Sequence, residues 1–338
     1  MLLFCNKIAS VSCQEAQKLK DNILYYSVGP LLYCPANKPS IADSVINGKL
    51  GSTFSLALCL EDTINDNFVE EAEQNLIRSL MQIYDSYQKQ IFYLPKLFIR
   101  VRNPKQIVRL TKALGPSIEF ITGFIIPKFS VSNAGTYIEE LIKANEYAAK
   151  KIYMMPIYEN AAMIDLRNRT DILYELKSTL SAVEDLVLNI RVGGNDLCHL
   201  FGFRRHSDES IHRIRPIANL FSDIITVYGT DYVVAGPVWE YYSGEDWESG
   251  LIQEISDDKL CGFIGKTVIH PNQIPVVNRS YQVSKSDFND AQAILNWNQN
   301  SNEYVAGNCA KERMNEYKTH NNWARQILYL AEAFGIKE

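Results

Sequence analysis

Six short apolar runs in this 338-residue chain end in charged or imidazole side chains of differing types. "LCLED" closes on Glu61 and Asp62, "FIRVRN" carries Arg100 and Arg102, and "IIPK" closes on Lys128. "MMPIYE" ends in Glu159, "IRVGGND" in Asp196, and "VIHP" carries His270. Taken alone, each has a plainer explanation: an acid after an apolar run is commonly a helix N-cap, and a His before Pro commonly caps a turn. Six such endings in one chain are hard to obtain from capping alone. Carboxylates mixed with guanidiniums and an ammonium form a donor set for one divalent cation and one anionic substrate. Glu159 and Asp196 fall at neighbouring run ends, where Gly193 and Gly194 let backbone approach closely. Two carboxylates, with water and substrate oxygens in the other positions, suit Mg2+ (or Mn2+) better than a closed all-protein cage does. Arg100 is placed to grip a substrate carboxylate or carbonyl in a charge-assisted bond. A metal and an Arg converging on one oxygen would stabilise an enolate. Lys128 offers a competing imine chemistry, but a lysine beside acids should stay protonated.

Positioning these groups requires a scaffold, and the sequence supplies a repeating one. Eight apolar, strand-like runs occupy residues 29–35, 54–62, 97–102, 118–128, 151–159, 185–196, 232–237 and 266–270. They show little polar alternation, as strands buried on both faces should. Helical patterns separate them. Over residues 66–87 one stripe carries Phe68, Val69, Ala72, Leu76, Leu80 and Ile83. Residues 103–115 start with a Pro and stop at Gly115, and residues 211–229 are interrupted by Pro216. Eight strands alternating with helices predict an α/β fold, a (β/α)8 TIM barrel, in which residues at the C-terminal strand ends face the active site. The competing doubly wound open sheet lacks its G-x-G-x-x-G signature after the first strand. Beyond Ile274 the strands stop and two amphipathic helices flank a polar stretch. The predicted organisation is an N-terminal segment (1–28), a barrel (29–275) and a C-terminal helical extension (276–338) that lids the barrel mouth or meets a neighbouring subunit.

Composition excludes several functions. A net charge of -5, with Lys and Arg scattered, gives no footprint for nucleic acid or an anionic membrane surface. No apolar run approaches the roughly 18 residues that a membrane span requires. The first residues lack a basic n-region and a long apolar stretch, so no signal peptide is expected. The seven cysteines contain no Cys-x-x-Cys pair, which argues against structural zinc and a disulfide framework. The expected location is the reducing cytoplasm.

Taken in order, "LLYCPA", "LCLEDTI", "IRVRN", "IPK", "PIYENA", "VGGNDL" and "GKTVIHPNQI" resemble the motif series of the citrate lyase β-subunit and malyl-CoA lyase family, relatives of the metal-dependent 2-keto-diacid aldolases. The resemblance spans roughly residues 30–275, and its most specific segment is the last. It implies a Mg2+-dependent barrel that makes or breaks a carbon–carbon bond through an enolate. Carried over by position, Glu159 and Asp196 are metal ligands, Arg100 grips substrate, and Glu61 and Asp62 lie near the metal and its waters. Lys128 joins the catalytic set, and Arg102, Gly194, Asn195, Pro237 and His270 are candidate substrate contacts. The family chemistry runs on metal and Arg, so His270 and Gln273 are expected chiefly to brace the last barrel loop. The chain departs from the family pattern at Arg102, where the family motif has Asn, and in the elaborated segments "GFRRHSDESIHRIRP" and "EYYSGEDWESG". The tail "ERMNEYKTHNNWARQIL" is similar to a divergent subgroup of carbon–carbon lyases associated with tellurium-resistance gene clusters. A small carboxylate substrate and a homo-oligomer, trimer or hexamer, are expected. The readings set beside this are a phosphoenolpyruvate-type phosphotransferase, for which no glycine-rich phosphate cradle is found, and a non-catalytic binding subunit.

Overall fold

The computed structural model describes residues 22–298 and 300–337. Eight parallel strands close into a barrel: β1 (Pro30–Pro35), β2 (Ser55–Cys59), β3 (Lys96–Arg100), β4 (Ile121–Ile126), β5 (Tyr153–Tyr158), β6 (Ile190–Val192), β7 (Val234–Val238) and β8 (Lys266–Val268). Each pairs with the next, and β8 returns to β1 through the Pro30–Lys266 register, which rules out the open sheet. The helices are α1 (Ile23–Tyr26), α2 (Ile41–Ile46), α3 (Val69–Tyr87), α4 (Lys105–Ala113), α5 (Val131–Tyr147) and α6 (Arg169–Ser181). They continue with α7 (Gly194–Phe201), α8 (Arg215–Tyr228), α9 (Trp247–Cys261), α10 (Gln273–Tyr281), α11 (Lys285–Leu295) and α12 (Tyr317–Phe334).

The apolar runs lack alternation because the strands bury both faces. Leu31, Ala57, Phe98, Ile125, Met155 and Leu188 fill the lumen. Their strand neighbours Leu32, Leu56, Leu58, Leu97 and Ile99 pack outward with the helices. At about 1.5–3 kcal/mol per fully buried side chain, these two layers supply the main stabilisation of the barrel. Helix α3 buries Ala72, Leu76, Leu80 and Ile83, as its stripe predicts. Phe68 does not join them: it ends a separate 3-10 turn and is 52% exposed. Pro216 starts α8 rather than interrupting it, since a proline in the first turn forfeits no helical hydrogen bond.

Two boundaries differ from the sequence reading. The run 185–196 yields only the three-residue β6, because Glu184–Leu186 form a 3-10 turn and Gly194 opens α7. Asp196 therefore sits in the first turn of a helix, beyond the strand. The barrel also extends past residue 275, since α10 runs to Tyr281. The C-terminal extension does not lid the mouth. Leu330 of α12 clusters with Val233 and Ile264, which precede β7 and β8. Tyr329 stacks on Tyr26 of α1 at 5.0 Å, and Phe334 stacks on Tyr281 at 5.1 Å. These partners place the extension over the N-terminal end of the barrel, opposite the C-terminal strand ends. Among the described residues, no helix is long and apolar enough to cross a membrane.

Candidate active site

Arg100 is the last residue of β3, paired in register with Cys59 at the end of β2. Its guanidinium therefore emerges at the C-terminal rim beside the Glu61–Asp62 turn. Nη2 lies 2.7 Å from Glu61 Oε2, 3.2 Å from Asp62 Oδ2 and 3.3 Å from Glu159 Oε1. The surrounding acids hold Arg100 as a cation against the cost of burial, while its Nε is buried without a partner. The Lys128 ammonium closes the cluster at 2.6 Å from Glu61 Oε1 and 2.9 Å from Asp62 Oδ1. Lys128 takes a left-handed backbone (φ 50°), unusual for a side-chain-bearing residue. That turn aims its backbone N–H at Glu159 Oε1, 2.9 Å away, and Asn133 Nδ2 donates to its carbonyl at 3.0 Å.

Glu159 follows β5 directly and is almost fully buried. Burial pushes its carboxyl up to about 8; Arg100 opposes the rise and the neighbouring Asp196 adds to it. Burial likewise raises Glu61, whereas Asp62 is lowered: burial acts against it, but Glu61, Lys128 and Arg100 outweigh that. Gly193 makes the approach of Glu159 feasible, since a Cβ there would stand 2.0 Å from Glu159 Oε2. A Cβ on Gly194 would meet Ile211 at 2.7 Å and Pro237 at 2.9 Å, so α7 must begin with glycine to bring Asp196 in. Glu61, Asp62, Glu159 and Asp196 thus gather at this rim beside Arg100 and Lys128, an acid-rich setting that suits a divalent cation. Among the described residues, no three His, Cys, Asp or Glu side chains are arranged to hold a metal ion by themselves. The Glu159–Asp196 pair therefore fits an ion that keeps waters and accepts substrate oxygens, as Mg2+ does.

A cavity of about 370 Å³ opens on this cluster, lined by Asp62, Arg100, Glu159 and Asp196 together with Gly194 and Asn195. Three predicted substrate contacts lie elsewhere. Arg102 gives Nε to the Leu60 carbonyl and Nη2 to the carbonyls of Glu61 and Ile64, and pairs through Nη1 with Asp66. It braces the β2–α3 loop instead of contacting the cavity, because β3 ends at Arg100 and strand periodicity no longer applies. Pro237 sits behind Gly194 as packing. His270 stacks on Tyr242 at 4.6 Å, and its Nδ1 accepts from the Asn272 N–H.

Several residues of the motif around His270 make buried structural contacts. Gly265 (φ 77°) passes so close to Gly29 that a Cβ would stand 2.9 Å from its carbonyl oxygen. Lys266 Nζ is fully buried between Glu254 Oε1 (2.9 Å) and Asp258 Oδ2 (2.7 Å) on α9. Gln273 accepts from the N–H of Ile269 and donates to the carbonyls of Trp239 and Tyr241.

The family model described as carbon–carbon bond lyase of the TIM-barrel fold matches residues 22–336. The chain belongs to this family. Among solved structures, protein CitE from Mycobacterium tuberculosis in complex with magnesium, acetoacetate and coenzyme A is similar with a TM-score of 0.57 and 18% identity, covering 91% of this chain and 99% of its own. CitE in complex with magnesium and pyruvate gives 0.50 at 20% identity, covering 78% and 93%. RipC from Yersinia pestis gives 0.51 at 15% identity, covering 76% and 95%. At these identities the likeness is one of fold. A search of the curated proteins by sequence found no match.

This member of the lyase family also lines its cavity with Tyr33, Arg191 and Thr267, which the sequence reading did not single out. Tyr33, on β1, lies under the Arg100 guanidinium, 5.8 Å from ring centroid to Cζ. Arg191 occupies the centre of β6 and is almost fully buried. A cation inside "LNIRVGG", a run with no other charge, was the available signal for it.

Proposed function

We propose that this protein is a Mg2+-dependent carbon–carbon lyase or aldolase that acts through a stabilised enolate on a small carboxylate substrate. The observation that carries the reading is the convergence of Glu61, Asp62 and Glu159 on Arg100 Nη2, with Asp196 beside Glu159 at the cavity. Glu159 and Asp196 would hold the Mg2+, which when bound supplies Lewis acidity toward a substrate carbonyl oxygen. Arg100 binds that substrate end and stabilises negative charge as it develops, in a buried setting where such an interaction is strengthened. Asp62, lowered and at the cavity wall, stays ionised and accepts from a water or substrate hydroxyl; Glu61 and Lys128 fix its position. The cavity of about 370 Å³ matches a small molecule. The two CitE structures are complexes with magnesium and acetoacetate or pyruvate, which supports the same class. The homo-oligomer, the cytoplasmic location and the tellurium-resistance context rest on the family resemblance and belong to this reading as proposals.

A panel of 2-oxo acids, hydroxy acids and their CoA thioesters, assayed for released pyruvate or acetyl-CoA, tests the assignment. Turnover should require Mg2+, and Arg100→Ala should reduce it by at least about 100-fold while Mg2+ still binds. Turnover that survives chelation, or that requires ATP, would contradict the proposal.

A further inference from the structure

Arg191 differs from every other cation at the site in having no acid to answer it. Arg100 is ringed by three carboxylates and Lys128 by two. Arg191 is 2% exposed, gives Nη2 to Thr267 Oγ1 at 2.7 Å and leaves Nη1 buried without a hydrogen-bond partner. Its electrostatic neighbours are the phenols of Tyr33 and Tyr281, and burial disfavours its charge. A buried guanidinium with a free donor is costly to fold, and a Met or Leu would fill the lumen without that cost. The side chain nevertheless lines the same cavity as Arg100, Glu159 and Asp196.

The placement is also specific in depth. Arg191 lies inside β6, below the Gly193 turn that meets Glu159, and its guanidinium reaches Thr267 on β8 across the floor of the same cavity. A substrate with a carboxylate at each end can meet the rim with one and this pair with the other. Resting on the function proposed above, we propose that Arg191 is a specificity-determining residue that, with Thr267, receives the distal carboxylate of a 2-oxo or hydroxy diacid. The proximal end of that substrate meets Arg100 and the Glu159–Asp196 pair. The fork of Arg191 suits a carboxylate, and the free Nη1 supplies the second donor of a bidentate contact.

Calorimetric titrations in saturating Mg2+ test this with matched ligands: oxaloacetate against pyruvate, and 2-oxoglutarate against 2-oxobutyrate. The wild-type protein should bind the diacid of at least one pair tenfold or more tightly than its monoacid. Arg191→Met should lower that ratio at least tenfold. Arg191→Lys, which keeps the charge and loses the fork, should give an intermediate ratio and stands in if the Met variant fails to fold. A folded Arg191→Met protein with the wild-type ratio, or a wild-type protein that binds monoacid and diacid equally, would overturn the inference and leave the metal and Arg100 reading intact. Absence of Mg2+-dependent binding for all four acids would contradict that reading, and this inference with it.

Discussion

Lys128 shows at the residue scale how neighbours decide a side chain's chemistry. Its ammonium is half exposed, yet burial is outweighed by its hydrogen bonds to Glu61 and Asp62, which hold it well above the ordinary lysine range. An imine requires the neutral amine. Borohydride added to the protein with pyruvate or oxaloacetate should therefore leave the Lys128 peptide unmodified by mass spectrometry; a reduced adduct on Lys128 would refute the metal-based chemistry. Glu61, Asp62, Arg100, Lys128 and Glu159 were legible in the sequence because each follows or ends an apolar run, and barrel geometry turns run ends into one rim. Arg102 was misread for the same reason: its run continues past the point where the strand's hydrogen bonding stops. Arg191 was not legible in this way because it lies inside a run and not at its end.

At the scale of elements, the β6–α7 junction does the most to assemble the site. Gly193 yields its Cβ volume to Glu159, and Gly194 lets α7 start against Pro237 and Ile211, which turns Asp196 inward. Gly193→Ala should lower Mg2+ affinity about 10- to 100-fold by displacing the Glu159 carboxyl, while circular dichroism reports an intact barrel. Wild-type affinity in that variant would mean that Glu159 is not held where the metal needs it. All eight strands were found from hydrophobicity, but their ends were not. The runs around β4 and β6 reach past the ladder because Ile118, Phe120 and Leu186 are apolar and half-buried in 3-10 turns, and Gly194 and Leu197 are buried in the first turn of α7. Composition records burial, and burial does not distinguish the last ladder residue from the turn after it.

For the whole molecule, the two ends of the barrel have separate duties. The C-terminal rim carries the charged cluster, and the opposite end is sealed by α1, α11 and α12. Amphipathic patterning announced that the last helices pack somewhere; it held no information on which end, since either rim offers apolar surface. Phe334→Ala removes the stack on Tyr281 and should destabilise the fold by about 2 kcal/mol in denaturant titration, with Mg2+ affinity unchanged. A shift in metal affinity without loss of stability would contradict the separation. The central claim, that Glu159 and Asp196 hold a divalent cation, is tested most directly by calorimetric Mg2+ titration between about pH 6 and pH 9. Glu159, pushed up to about 8 in the metal-free protein, must lose its proton before it can ligate. The wild-type protein should bind a single Mg2+ with affinity that rises about tenfold per pH unit below that value and levels off above it, with a proton released on binding at neutral pH. Asp196→Ala and Glu159→Ala should each weaken binding by more than about 100-fold. Undiminished Mg2+ binding in both variants would contradict the claim.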